Sequence, residues 1–538
     1  MIMHALMPLI PVAPPAALGP DVPAFLGLVI VVAVVATAIR VVRVPYTVAL
    51  VLTGLALALA PGVPRFDLTP AVIFTVFLPI LLFHGSYNLD VAELRANLVP
   101  VTTLAIPGVV ATAGLVGAAL HLLAGLSWGS ALLFGAIVSA TDPVAVLAVF
   151  GEVGAPRRLA TIVNSESLFN DGTALVLFAT ILSVIGSGSF HAAETVERFA
   201  VEVIGSLALG AALAIVAGTV LRRIDDALLE TTITLILAYG GFLLADRLGV
   251  SGPLETVTAG LVLGARGRQI MSPTTRLQAQ ATWQFLDFLA NSLLFLLVGL
   301  GLRTVGSAAV GRLDAGAVLW PLVVAILATV VSRAAVAWGV AQVLRAVGRP
   351  LPRGWRTVLT WAGLRGAVSL AAGLGLPGDL PDRGLLLALT FGVVLFTLLA
   401  QGLTIRPVME HLGLLGGEAS RHDYELAVGE VQATEAAMRE LATLRRADLL
   451  DAELGVRLER EYAERRATTR ARLAELSRGA IPEREQEVEA LRRLLQVERE
   501  AVRAARARGL LSYATERELT DKVERDLARL EPALSEDM

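Results

Sequence analysis

The densest polar stretch of this sequence lies inside an apolar run: Asn164-Ser165-Glu166-Ser167-Leu168-Phe169-Asn170-Asp171-Gly172-Thr173. On a helix, Ser167 and Asp171 are four apart and share a face, with Asn170 beside them. Glu166, five before Asp171, points partly elsewhere. A second motif, Ser139-Ala140-Thr141-Asp142-Pro143, puts Asp-Pro in the middle of another apolar run. Proline there removes a backbone hydrogen bond and clashes with the preceding turn, so Thr141 and Asp142 offer oxygens at a helix break. Carboxylate, hydroxyl and carbonyl oxygens suit hard monovalent cations. Zero cysteines and the lack of a histidine cluster exclude the usual transition-metal sites. One carboxylate that holds either a proton or a cation, never both, is the minimal machine for exchanging the two. A polar helix face that only packs against its neighbours is the competing use of the same residues.

The elements that must position these groups are membrane helices. The chain has 538 residues, of which 55% are hydrophobic and only 17% charged, and a mean hydropathy of +0.68. A soluble chain carries roughly a quarter charged residues. The charges are also uneven. Residues 1–412 hold 23 Arg, no Lys and 21 Asp or Glu; residues 413–538 hold 22 basic and 27 acidic side chains. A net charge of −3 gives no footprint for nucleic acid. A spanning helix needs about 20 mostly apolar residues. Thirteen runs qualify: 22–39, 46–60, 71–87, 98–123, 130–153, 159–185, 199–221, 230–248, 253–265, 283–302, 315–344, 356–376 and 385–405. With the N-terminus outside and the C-terminus inside, fifteen loop arginines fall inside and six outside, as the positive-inside rule requires. Residues 1–21 then form an extracellular lead, 22–412 the membrane part, and 413–538 a cytoplasmic tail.

Ionisable groups at the bilayer centre are costly unless paired or hydrated, which marks Asp142, Glu166, Asp171, Arg333 and Arg365 as functional candidates. The twelfth run reads Trp361-Ala362-Gly363-Leu364-Arg365-Gly366-Ala367, two glycines straddling a cation. The fifth and twelfth runs are seven helices apart, the signature of two inverted repeats whose broken helices cross at the midplane of a transporter. Half-helix N-termini attract anions and C-termini attract cations, so Asp142 at one break and Arg365 at the other fit that field. Glu255 and Asp287 lie near the ends of their runs and read as solvated end-caps.

Four segments carry a resemblance to the monovalent cation/proton antiporters, in the electroneutral Na⁺/H⁺ exchanger branch. They are Ala140-Thr-Asp-Pro-Val-Ala-Val146, Glu166-Ser-Leu-Phe-Asn-Asp-Gly172, Phe288-Leu-Ala-Asn-Ser-Leu-Leu-Phe295 and Gly363-Leu-Arg-Gly-Ala-Val-Ser369. The likeness covers about residues 22–411 and not the tail. It implies an all-α membrane protein of thirteen transmembrane helices, forming homodimers, with a dimerisation domain and a mobile six-helix core. It implies that Asp171 is the carboxylate that binds both Na⁺ and the proton, with Thr141, Asp142 and Ser167 completing the cation site. Asn170 then stands where electrogenic relatives have a second aspartate, so exchange is one for one and electroneutral. Arg333 is implied to pair with Glu166, and Arg365 to sit at the twelfth-helix break. One departure is His84, which follows Leu82-Phe83 where many relatives carry an acid; a structural role is expected for it.

The tail is rich in Glu, Arg, Ala and Leu. Val428, Val431, Met438 and Leu441 keep to one helical face, as do Val488, Leu491 and Leu495, which predicts amphipathic helices with charged outer faces. No phosphate-binding loop is present, so no nucleotide or other cofactor is expected. The resulting expectation is a plasma-membrane antiporter of Na⁺, with K⁺ and Li⁺ as alternative substrates, and not an enzyme. The rivals are a passive cation channel, which would prefer rings of residues from symmetry-related chains, and an organic-anion carrier, which the acidic centre disfavours.

Overall fold

The computed structural model describes residues 21–39, 45–60, 69–187, 192–305, 315–414, 417–447, 449–479 and parts of 491–523. Residues 1–20 of the expected lead 1–21, the loop arginines Arg40, Arg43, Arg65 and Arg312, and Val488 lie outside the described residues. The chain divides into two units, Met1–Glu152 with Arg158–His411, and Leu412–Met538 with Val153–Arg157.

The first unit is helical. Its elements are α1 (Asp21–Ala38), α2 (Tyr46–Leu59), α3 (Pro70–Tyr87), α4 (Val91–Ala96), α5 (Leu98–Ala124), α6 (Trp128–Ile137), α7 (Val144–Val153), α8 (Arg157–Ser187), α9 (Ala192–Leu221) and α10 (Ala227–Arg247). They continue with α11 (Gly252–Ile270), α12 (Pro273–Val305), α13 (Ala315–Ala346), α14 (Trp355–Trp361), α15 (Ala367–Leu374) and α16 (Arg383–His411). Eleven of the thirteen apolar runs fall on one of these helices each, and the other two on a pair of helices. Eight helices among the described residues, α3, α5, α8, α9, α10, α12, α13 and α16, are long and apolar enough to cross a membrane. The fifth run is split into α6 and α7 and the twelfth into α14 and α15, so no half is long enough to cross by itself.

Two apolar clusters hold the helices. One joins α5, α6, α13, α15 and α16 through Val116, Phe134, Ile137, Val324, Ala372 and Leu389. The other brings Leu78 and Leu82 of α3, Val109 of α5, Leu168 of α8, Phe242 of α10 and Val257 of α11 together. Small residues permit the closest crossing. A Cβ on Gly54 of α2 would meet the carbonyl of Leu296 on α12, and one on Gly299 would meet that of Val51. Outward-facing Val201, Ile204, Val216 and Val220 of α9 remain exposed, as side chains facing lipid do. Pro107 interrupts α5 after Ala105. The Ala105 carbonyl accepts the Thr173 hydroxyl at 2.5 Å, which fastens α8 to the kink.

In the second unit, α17 (Gly417–Arg446) and α18 (Ala452–Gly479) form an antiparallel pair. Val431 is buried and Val428, Met438 and Leu441 are half-buried, the face that the sequence pattern selects. Arg470 donates to Glu435 at 2.5 Å and holds its carboxyl below the usual carboxylate range.

Candidate functional site

The sequence breaks α6 from α7 at Asp142-Pro143, and α14 from α15 at the Gly363–Gly366 stretch, and the two gaps meet. The Asp142 amide donates to the Leu364 carbonyl at 2.8 Å. Asp142 also accepts from the amide of Val144 at 3.0 Å, the first residue of α7, and from that of Ala367, the first residue of α15. Its single negative charge thus faces the N-terminal ends of two half-helices, where unpaired N–H groups concentrate positive potential. Arg365 does the converse. Its Nε donates to the Val138 carbonyl at the end of α6, 2.8 Å away, and its Nη1 to the Gly363 carbonyl after α14. A fully buried guanidinium therefore satisfies two C-terminal ends. Gly366 is glycine because a Cβ there would strike the Asp142 carboxylate.

The α8 helix lies against this crossing by its polar face. Asn170 donates to the Thr141 hydroxyl at 2.6 Å and to Glu166 at 3.4 Å, and accepts from the Thr141 amide at 3.3 Å. The Ser167 hydroxyl donates to the Thr141 carbonyl. The non-helical backbone at Thr141 is thereby held at both its N–H and its C=O, as buried backbone must be. Glu166, on the neighbouring face, forms a two-pronged ion pair with Arg333 of α13, one arm at 2.7 Å. Arg333 Nε donates to the Leu359 carbonyl at 2.8 Å. Both side chains are buried, which is tolerable only because each charge meets the other with matched geometry.

A cavity of about 340 Å³ opens beside the crossing. Of the eight residues singled out by the sequence, Thr141, Asp142, Ser167 and Asp171 line it. The other four, Glu166, Asn170, Arg333 and Arg365, do not; they are buried and engaged with one another or with backbone. Asp171 is half-buried, and its carboxylate takes no hydrogen bond or ion pair from the described residues. The charges at and beside the crossing are matched: Glu166 by Arg333, Asp142 by two helix N-termini, Arg365 by two C-termini.

Sequence reasoning passed over several lining residues. Ser369 enters the cavity from α15, its hydroxyl 3.5 Å from the Ala140 carbonyl; it stands in the Gly-Leu-Arg-Gly-Ala-Val-Ser motif, the signal that could have found it. His84, Asp287 and Asn291 also line the cavity, so Asp287 is not the solvated end-cap expected of it. Neither is Glu255. It sits in the first turn of α11, where the helix field favours an acid, but α9 and α10 cover that turn. Glu255 is wholly buried against Gly241, accepts from Thr256 at 3.1 Å and leaves Oε1 without a hydrogen-bond partner among the described residues.

Comparison with known proteins identifies a family and a shared fold. The family described as "Sodium/hydrogen exchanger, transmembrane" matches residues 28–411. The Na⁺/H⁺ antiporter ApNhaP of Aphanothece halophytica is 38% identical over 403 residues, 74% of this chain and 75% of that one. The Na⁺/H⁺ antiporter NhaP of Pseudomonas aeruginosa is 40% identical over 348 residues, 63% of this chain and 81% of that one. The solved structure of the sodium proton antiporter MjNhaP1 from Methanocaldococcus jannaschii at pH 8 shares the fold, with a TM-score of 0.56 at 20% identity, covering 72% of this chain and 97% of that one.

Proposed function

Since the chain belongs to the sodium/hydrogen exchanger family, we propose that it is a secondary antiporter that exchanges Na⁺ for H⁺ at Asp171. The observation that carries this is the unmatched Asp171 carboxylate in a cavity whose other buried charges are all offset. A carboxylate withdrawn from bulk water requires a positive partner, and here only a mobile one is available: a proton, or a cation completed by oxygens of Thr141, Asp142 and Ser167. The two occupants exclude each other, so the site carries a cation one way and a proton the other. One titrating group with Asn170 in place of a second acid gives one-for-one, electroneutral exchange. K⁺ and Li⁺ are the alternative cations.

We assign transport to alternating access of a six-helix core built around the two facing breaks, within thirteen spans arranged as two inverted repeats. The protein is assigned to the plasma membrane as a homodimer, its N-terminus outside and residues 413–538 cytoplasmic. A passive channel is the rival of different class, and a steady pH gradient separates the two. In proteoliposomes holding trapped pyranine, Na⁺ added outside is expected to alkalinise the lumen without an imposed potential. Na⁺ uptake that leaves luminal pH unchanged contradicts exchange.

A further inference from the structure

The cavity wall contributed by α3 and α12 carries a histidine–aspartate contact to which the proposed exchange gives no role. His84 Nδ1 lies 3.3 Å from Asp287 Oδ1, and both side chains remain partly open to the cavity. Asn291, one turn along α12, donates to the same Oδ1 at 3.1 Å. Both contacts therefore fall on one oxygen, and Oδ2 accepts no hydrogen bond from the described residues. The scaffold beneath is firm: the Phe83 and Trp283 rings meet at 4.6 Å between centroids, and Tyr46 of α2 bonds Ser292 at 2.9 Å. The ionisable residues lining this cavity are His84, Asp142, Asp171 and Asp287. Opposite His84, α3 packs on α11 through Ser86 and Tyr87 against Gly260 and Gly264, while Glu255 of α11 faces Gly241.

We propose that Asp287 is a further cation-binding residue of this exchanger, and that His84 sets the cation affinity by competing for its carboxylate. This rests on the exchange reading above. Asp142 shares its charge with two helix ends, so Asp171 and Asp142 together leave a monovalent cation shedding water in the cavity short of anionic oxygen. Asp287 Oδ2 supplies one, oriented by Asn291. His84 Nδ1, 3.3 Å from Oδ1, competes with the cation for that carboxylate when it carries a proton, and the cation must overcome it. The chemistry recognised is a small monovalent cation, and the pair determines its affinity rather than its stoichiometry.

A double-mutant cycle on the full chain in proteoliposomes tests this. Asp287→Asn is expected to raise the apparent KM for Na⁺ about tenfold, more than it lowers kcat, and Asp287→Glu to restore most of it. His84→Ala is expected to lower the KM about threefold in the native background and to leave it unchanged beside Asp287→Asn. A KM for Asp287→Asn within about twofold of native overturns the proposal, as does a His84→Ala shift that persists without the carboxylate. Should Asp287→Asn fail to purify as a monodisperse protein, His84→Ala decides alone: an unchanged or raised KM overturns the competition. Native protein that exchanges no cation for protons removes the underlying function; active exchange with an indifferent Asp287 removes this inference only.

Discussion

At the scale of single residues, the proposed function separates groups that carry cargo from groups that hold them. Glu166 and Arg333 belong to the second kind. Removing one member strands a buried charge, a loss of about 3–5 kcal/mol, whereas replacing both with apolar residues of like volume is often neutral. Glu166→Gln is therefore expected to abolish recovery of monodisperse protein in detergent gel filtration. Glu166→Leu combined with Arg333→Met is expected to recover it. Equal recovery of the single and double variants contradicts the pairing. The sequence exposed these charges through the cost of putting them in lipid. It could not show that Asn170 faces Thr141 and Glu166 rather than the cavity, because a face of a helix specifies neighbours only after its partner helix is placed. The solvated role expected of Glu255 failed for the same reason: being near the end of a run says nothing of the helices that cover it.

At the scale of elements, two interruptions do the positioning. The Asp-Pro and the Gly-Leu-Arg-Gly signals were legible because proline and glycine act on their own backbone. The pairing of the gaps, amide 142 to carbonyl 364, needed the fold. Gly366 is its most sensitive point. Gly366→Ala would drive a methyl group into the Asp142 carboxylate and displace it from the two N-termini, at an expected loss of about 1–3 kcal/mol. Its apparent melting temperature in detergent should fall, and its exchange rate should drop by about tenfold or more. A variant with native melting and native rate would show that the crossing tolerates a different Asp142 position. Thirteen apolar runs are easily counted, yet the two split ones yield halves too short to span, so hydropathy alone overstates the number of continuous spanning helices.

For the whole molecule, one titrating carboxylate fixes how charge moves. On the proposed mechanism Asp171 carries either a proton or a cation, and each cycle moves one positive charge in each direction. Exchange in proteoliposomes should proceed at the same rate with and without valinomycin and K⁺ clamping the potential, and a potential-sensitive dye should stay silent. A dye signal proportional to Na⁺ flux would contradict one-for-one exchange. Competition adds a second consequence: raising the proton concentration should raise the apparent KM for Na⁺ without lowering the rate at saturating Na⁺. A fall in that limiting rate at constant KM would mean that the two ions occupy different sites.

Asp171 is proposed to hold Na⁺ and the proton in turn, and an amide of the same size removes both abilities. Purified Asp171→Asn, confirmed monodisperse, is placed in pyranine-loaded vesicles and given external Na⁺. No luminal alkalinisation above protein-free vesicles is expected, since the amide neither carries the proton nor neutralises the cation. Alkalinisation at the native rate would contradict it.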